Sequence, residues 1–324
     1  MAADASVKGA AAATDSDARP LVSVIIATYN RSNVLALAVE SVRRQTVRDW
    51  ELWVVGDACT DDTAEVVAAT GDTRIRFANL DRNVGEQSGP NNEGFRRARG
   101  RYIAYLNHDD LWLPDHLETA LRGLDETSAD LVFTLVDQIL PDGRARLVGA
   151  TPTGRYELYL FVPSSAWILR RELIEQVGLW RPARECYEAP SENFLSRAWR
   201  AGKRMFLVPR MTVVSFPSGV RPGVYASREA WEQQAYFERM QREHDFRERE
   251  LAELACQHAA GEWLLGPLWA AAVKNSIRRL VAGAGVQPMA VRRFLGHFRK
   301  GGFIEALRRR RGLPPLGARE GERQ

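Results

Sequence analysis

The sequence predicts an α/β fold: a mostly parallel sheet flanked by helices, followed by a helical C-terminal extension. Three observations carry this. Between Pro20 and about Pro209, short apolar runs alternate with amphipathic ones, the order expected of strands joined by crossover helices. From Ser227 the pattern turns helical and highly charged. The 324 residues are 45% hydrophobic and 27% charged, an ordinary soluble composition with enough apolar side chains for a substantial core.

Taken in order, residues 21–27 form a continuous apolar run, which reads as a buried strand. Ser32 is placed to cap a helix whose Leu35, Val39 and Val42 recur at helical spacing. Residues 51–55 make a second strand, and Thr60-Asp-Asp-Thr63 starts a helix ahead of Val66 and Val67. Residues 74–80 read as a strand, 91–99 as a helix and 101–106 as a fourth strand. This βαβαβαβ order implies right-handed crossovers. The turn Pro141-Asp-Gly-Arg144 can join strands at 130–136 and 145–150 as a hairpin. Residues 166–169 are strand-like, with a helix following to Val177; 191–201 are helical and 204–208 form a final strand. Within 228–254 the apolar points are sparse (Trp231, Ala235, Met240, Leu251), and another helix is expected over about 262–281.

The N-terminal residues are rich in Ala, Asp, Ser and Thr. They lack the apolar core of a signal peptide and read as a disordered tail. The longest apolar stretches, 21–29 and 263–273, fall short of the roughly 20 residues needed to cross a bilayer. Cys59, Cys186 and Cys256 form no CxxC pair, which supports neither a zinc site nor a disulfide framework. A reducing, cytoplasmic compartment is the simplest reading. The formal charge of +4 is uneven, because the C-terminal end is rich in Arg and Lys. The expected layout is a disordered tail over 1–19, one α/β domain over 20–225, and a helical extension with a basic tail over 226–324.

The chemistry gathers at strand ends. The strand ending at Leu106 runs straight into Asn107-His-Asp-Asp110. Adjacent carboxylates at the C-terminal end of a buried strand are costly unless a cation sits on them, and a divalent metal holding a diphosphate is the usual solution. The plainer reading is that these acids cap the helix entered through Leu111-Trp-Leu-Pro114. Ligands of open α/β sheets bind beyond the C-terminal strand ends. Thr28-Tyr-Asn30, Asp57 and residues 107–110 all fall there, and their convergence points to a nucleotide pocket.

Val22-Ser-Val-Ile-Ile-Ala-Thr-Tyr-Asn-Arg31, Val54-Val-Gly-Asp-Ala-Cys-Thr-Asp-Asp-Thr63, Asn83-Val-Gly85, Asn91-Asn-Glu-Gly94 and the run 107–110 follow one another. In that order they resemble the motifs of the family-two glycosyltransferases, nucleotide-sugar enzymes of the GT-A (Rossmann-like) fold. The resemblance covers roughly residues 20–210. It implies transfer of a sugar from a nucleoside diphosphate sugar to an acceptor hydroxyl, with inversion, in cell-surface polysaccharide or glycolipid assembly. In relatives the opening loop cradles base and ribose, which implicates Ala27, Thr28, Tyr29 and Arg31. The second motif, usually written VVDDGSTDDT, sets Asp57 at the base, with Asn83 nearby. Gly56 replaces its first acid and Ala58-Cys59 its Gly-Ser. Asn107 and His108 join the nucleotide set. Asp109 keeps the place of the direct metal ligand, for Mn²⁺ or Mg²⁺, and Asp110 is expected to orient that ligand or contact the donor sugar. Asn107 stands where relatives carry an acid; an amide adds no charge, so weaker metal binding is expected. His108 falls at the motif's variable position, where pleat alternation turns it away from the metal; metal ligation is its alternative.

Pro190-Ser-Glu-Asn-Phe-Leu-Ser-Arg197 resembles the family's Glu-Asp pair and downstream Arg. The usual general base is Asn193 here, which takes no proton at neutral pH. Glu192 is the candidate base, with Glu188 and Glu185 as alternatives, and a simple helix cap is the plain reading of Glu192. Trp112, Trp167, Trp180 and Trp199 are either core or platforms for an acceptor sugar. Toward the C-terminus Arg292, Arg293, Arg299, Lys300 and residues 308–311 interleave with Phe294, Leu295, Phe298, Phe303, Ile304 and Leu307. Such a stretch fits peripheral contact with the inner face of a membrane and a lipid-linked glycan acceptor, or packing on the main domain. No nucleic-acid-binding motif accompanies the charge, so no nucleic acid is expected. Two other readings remain. Gly56, Asn107 and Asn193, each in place of a carboxylate, suggest a non-catalytic nucleotide-sugar binder. A nucleotidyltransferase would carry a Gly-rich phosphate loop, and residues 27–31 contain no glycine.

Overall fold

The computed structural model describes residues 19–260 and 268–316. The tail expected over 1–19 lies outside the described residues apart from Arg19, as does the start of the helix expected from 262. Strands β1 (Val22–Thr28), β2 (Trp50–Gly56), β3 (Ile75–Asn79) and β4 (Tyr102–Asn107) alternate with helices α1 (Ser32–Arg43), α2 (Thr63–Ala68) and α3 (Ser88–Arg97). Next come β5 (Leu111–Trp112), α4 (His116–Thr127), β6 (Leu131–Ile139), β7 (Ala145–Val148), β8 (Trp167–Arg170), α5 (Arg171–Val177), α6 (Pro190–Arg200) and β9 (Met205–Ser215). The C-terminal part comprises α7 (Val224–Ser227), α8 (Trp231–Arg242), α9 (Phe246–Ala259), α10 (Leu268–Gly283), α11 (Pro288–His297) and α12 (Gly302–Arg310).

One sheet runs in the order β3-β2-β1-β4-β8-β6-β9-β5, with β7 added on β6. β1 is central, and Val22, Val24, Ile25 and Ile26 are fully buried, as a parallel strand covered on both faces requires. The expected parallel order holds for β3-β2-β1-β4 and again for β6–β9. The second half is more mixed than expected: β4–β8, β6–β8, β6–β7 and β5–β9 are antiparallel. The reason is chain economy. The turn at 141–144 makes β6–β7 a hairpin, and β8 runs back between β4 and β6. The two-residue β5 is not signalled by pattern, because Leu111 and Trp112 are too few to show a period.

Register fixes where the site lies. Thr28 pairs with Gly56 and Ala27 with Asn107, so the loops leaving β1, β2 and β4 start side by side at one sheet edge. On the far side, Phe237 of α8 and Phe246 of α9 pack on Leu111, Ile139, Met211, Val214 and Phe216. Trp231, expected as an apolar anchor, is exposed. The helix breaks after Arg242, and the phase that buries Phe237 turns Trp231 outward. Trp112, Trp167 and Trp180 are buried in the main core, and Trp199 packs against it. They serve as core, and none of the four lines the cavity described next. No described helix is long and apolar enough to cross a membrane.

Candidate active site

A cavity of about 480 Å³ opens where β1, β2 and β4 end, a size suited to a small organic ligand. Ala27, Thr28, Tyr29, Asp57 and residues 107–110 form its sheet-side wall. The scattered motifs thus converge as their strand-end positions require.

Several of these side chains build loops. Asp57 accepts the backbone N–H groups of Val84 and Gly85, each at 2.7 Å, and Asn83 Nδ2 donates to the Asp57 carbonyl at 2.7 Å. Burial pushes the Asp57 carboxyl up, against the pull of those amides and of Arg308. Asn83 itself does not line the cavity, and neither does Arg31. Arg31 is fully buried, donates Nη2 to the Glu229 carbonyl at 3.1 Å and lies over Tyr225. Ser32, expected to cap α1, starts the helix instead and donates its hydroxyl to Asp62 at 2.6 Å. Gly56 explains its own departure from the motif. A Cβ there would come within 2.4 Å of Asn79 Oδ1, and the Asn79 amide clamps both the N–H and the carbonyl of Cys59.

At the acidic end the two carboxylates differ. Asp110 is buried and accepts from Asn107 Nδ2 at 2.9 Å, Ser165 Oγ at 2.5 Å and the Phe216 backbone N–H at 3.1 Å. Burial, then the charge of Asp109, pushes its carboxyl up to about 7. Asp110 therefore ties the end of β4 to the end of β9, and its oxygens are committed to that tie. Asn107 serves the same tie, since an amide can donate to Asp110 where a third carboxylate would repel it. The Asp109 carboxylate, in contrast, makes no hydrogen bond or ion pair to a described residue and faces the cavity. Its oxygens fit a hard divalent cation completed by ligand oxygens and water. No group of three His, Cys, Asp or Glu among the described residues could hold a metal.

His108 corrects the pleat argument. β4 stops at Asn107 and His108 begins a turn, so strand alternation no longer sets its direction, and it lines the cavity. Burial pulls its imidazole down to about 4; Asp109 opposes this, and Arg31 and Arg311 add to it. The ring is neutral at pH 7, and its buried Nδ1 has no partner, like the buried Thr28 Oγ1.

The candidate base is occupied. Glu192 lines the cavity, but its carboxylate forms a two-point ion pair with Arg293 of α11, with Nη2 to Oε1 at 3.0 Å. It also accepts the Ala189 N–H at 3.4 Å, so the plain helix-cap reading has its contact too. Asn193 bridges Glu188 Oε1 at 2.8 Å and Arg197 Nε at 3.0 Å. Neither Asn193 nor Glu188 lines the cavity, and neither does Glu185.

The opposite wall was not foreseen. Tyr225, Phe303, Leu307, Arg308 and Arg311 close the cavity from the C-terminal part. Tyr225 packs between Tyr29 and His108, with ring centroids 6.3 and 6.1 Å away. A signal for α12 existed: Ile304, Leu307, Arg308 and Arg311 share one helical face. Nothing in the local pattern marks Tyr225, or Glu86, which lines the cavity while accepting the Ser88 N–H at 2.7 Å.

Comparison with known proteins bears on the family and the fold. Residues 23–178 match the family described as Glycosyl transferase family 2. The succinoglycan biosynthesis protein ExoO of Rhizobium meliloti is 37% identical over 129 residues, 40% of this chain and 37% of that protein. The Escherichia coli protein WfgD, a UDP-Glc:alpha-D-GlcNAc-diphosphoundecaprenol beta-1,3-glucosyltransferase, is 36% identical over 113 residues, 35% of this chain and 44% of that protein. The matched stretch thus spans less than half of either relative. The crystal structure of residues 1–349 of S. aureus TarS with UDP-GlcNAc superposes with a TM-score of 0.54 at 19% identity, covering 90% of this chain and 92% of that one. At that identity the likeness is one of fold.

Proposed function

The chain belongs to glycosyl transferase family 2 through residues 23–178 and has the GT-A fold, and from this premise we propose that it transfers a sugar from a nucleoside diphosphate sugar to an acceptor hydroxyl. The observation that carries the reading is the cavity at the ends of β1, β2 and β4, where the unengaged Asp109 carboxylate meets unpartnered Thr28 and His108 atoms. Tyr29 and Tyr225 offer ring faces for a base, and Thr28 and neutral His108 offer hydrogen bonds to ribose or sugar.

Asp109 would hold Mg²⁺ or Mn²⁺, which when bound neutralises charge on a leaving diphosphate. The acceptor oxygen forms the new bond to the anomeric carbon as the bond to the diphosphate breaks and its electron pair leaves with the phosphate. Attack from the opposite face inverts that centre. Glu192 is our candidate to take the acceptor proton, and it must first exchange Arg293 for the acceptor hydroxyl. The names of the relatives point to a cell-surface or lipid-linked glycan as acceptor.

The membrane part of the expectation narrows to α10 and α11, because the apolar residues of α12 turn toward the cavity. Ile277, Leu280, Leu295 and Phe298 are exposed, next to exposed Arg292, Arg299 and Lys300. This surface suits shallow contact with an anionic leaflet from the cytoplasmic side.

Calorimetric titration of UDP, GDP and dTDP with and without Mn²⁺ tests the donor class. One nucleotide should bind with help from the metal, and Asp109→Ala should remove that help without changing the unfolding temperature. Wild-type turnover by Asp109→Ala would remove the metal role. Glu192→Gln should lower the transfer rate far more than donor affinity. The Arg293 pair and the amide at Asn193 favour one second reading, a nucleotide-sugar binder without transferase activity. Tight donor binding with neither transfer nor hydrolysis across a panel of acceptors would select it.

A further inference from the structure

We propose that Arg308 and Arg311 form the diphosphate subsite of this cavity, so that the C-terminal segment supplies the cationic half of the donor site. The inference rests on the sugar-transfer reading above.

The chain's treatment of buried arginines points to it. Among the described residues Arg31, Arg221, Arg293 and Arg308 are buried. Arg221 meets Glu232 at 2.7 Å and Arg293 meets Glu192. Arg31 and Arg308 close no ion pair with a described carboxylate; Arg308 lines the cavity, and Arg31 lies behind its wall, over Tyr225. Arg31 leaves Nε and Nη1 buried without partners. Arg308 donates to two carbonyls, Gly85 and Pro314, the latter at 2.8 Å. Arg311, half-buried on the same wall, leaves Nε without a partner and lies close enough to act on both His108 and Tyr225. Asp57 acts on Arg308 only across space, without an ion-pair contact; a buried charge without a paired counter-charge is unfavourable, and guanidinium forks match phosphate oxygens.

The backbone is arranged to seat these groups. Asp57 holds Val84 and Gly85 in place, and the Gly85 carbonyl holds Arg308. A Cβ at position 85 would come within 2.9 Å of Arg308 Nη1, so glycine there makes room for the guanidinium. The Arg308 fork is therefore pre-oriented before any ligand arrives. Asn107 removes one acid from the metal end of the site while Arg308 and Arg311 add two cations, which shifts diphosphate neutralisation toward the protein. Arg310, exposed on the same wall, donates to the Gly219 carbonyl at 3.3 Å and is not required by the argument.

Titration of the full chain in EDTA with UDP, GDP and dTDP, and with uridine, guanosine and thymidine, tests this. The wild type should bind one diphosphate about tenfold or more tightly than its nucleoside, and that margin should shrink as salt rises. Arg311→Gln should remove most of the margin and leave nucleoside affinity unchanged, and Arg311→Lys should restore part of it. Arg308→Lys keeps the charge but loses the fork and should lower diphosphate affinity alone. Equal diphosphate affinity in wild type and Arg311→Gln overturns the inference and leaves the sugar-transfer reading standing, as does diphosphate binding that requires Mn²⁺ altogether. A wild type that binds no diphosphate with or without Mn²⁺ removes both.

Discussion

Ala58 sits at φ +58°, in the left-handed region, where the related motif carries glycine. An L-residue there costs about 1–2 kcal/mol, and a glycine gives back part of this as lost chain entropy, about 0.4–1 kcal/mol. Ala58→Gly should therefore stabilise the protein by about 0.5–1 kcal/mol, a rise of roughly 1–3 °C in thermal midpoint; an unchanged or lower midpoint would show that the loop relieves the strain elsewhere. At this scale the sequence was legible where position alone decides, as in the placement of Asp109 at its strand end beside the cavity. It was silent where the partner is remote. Glu192 reads as the candidate base because it is the carboxylate nearest the Asn193 position, yet Arg293, 101 residues later, pairs with its carboxylate. Asn107 reads as a weakened metal ligand, yet it donates to Asp110.

Between elements, the contact of β6 with α8 and α9 holds an ionisable group that no motif marks. Asp137 is fully buried on β6. Burial, then the neighbouring Glu250 and Glu253, pushes its carboxyl up to about 8, with Arg239 opposing. Arg239 spends itself on Glu250 at 2.6 Å and Glu243 at 3.0 Å. The sign of the linkage follows. The folded state keeps the Asp137 proton at pH values where the unfolded chain, with a carboxyl near 3.9, has lost it. Stability from this group is whole below about pH 4 and falls as pH rises toward 8. Asp137→Asn keeps the shape, cannot ionise and can donate to Glu250. Its thermal midpoint should exceed the wild type's at pH 8 by several degrees, and the two should converge toward pH 5. Parallel pH profiles for the two proteins would place the proton elsewhere. The hairpin and crossovers were legible because turn chemistry and apolar period are local. β5 and the phase of α8 were not, since each is decided by what it packs against.

Across the whole molecule, the C-terminal helices act as a strap over the cavity. The Arg293–Glu192 pair, Gly301 N–H on the Cys186 carbonyl at 2.9 Å, Arg308 on the Gly85 carbonyl and Gly223 N–H on the Arg310 carbonyl at 2.9 Å fasten it to the start of α6 and to three separate loops. Removing one partner of a buried ion pair costs about 3–5 kcal/mol. Arg293→Gln should cost that much, or release the strap, which faster amide exchange in α11 and α12 would reveal. In a double-mutant cycle with Glu192→Gln the two losses should be far from additive. Additive losses with unchanged exchange would mean that the pair does not fasten the strap.

Sequence alone determined the α/β order, the hairpin, the strand-end motifs and the convergence of Thr28, Tyr29, Asp57 and Asp109. All of these follow from local periodicity and from the rule that parallel strands deliver their loops to one edge. Tertiary structure alone decided that Arg293 holds Glu192, that Asp110 ties strands together and that the basic C-terminus closes a cavity. Each of those depends on a partner that folding brings from up to 223 residues away, the separation between Gly85 and Arg308. No local pattern encodes such a distance, because the energy lies in burying a charge against a group that the chain meets only once folded.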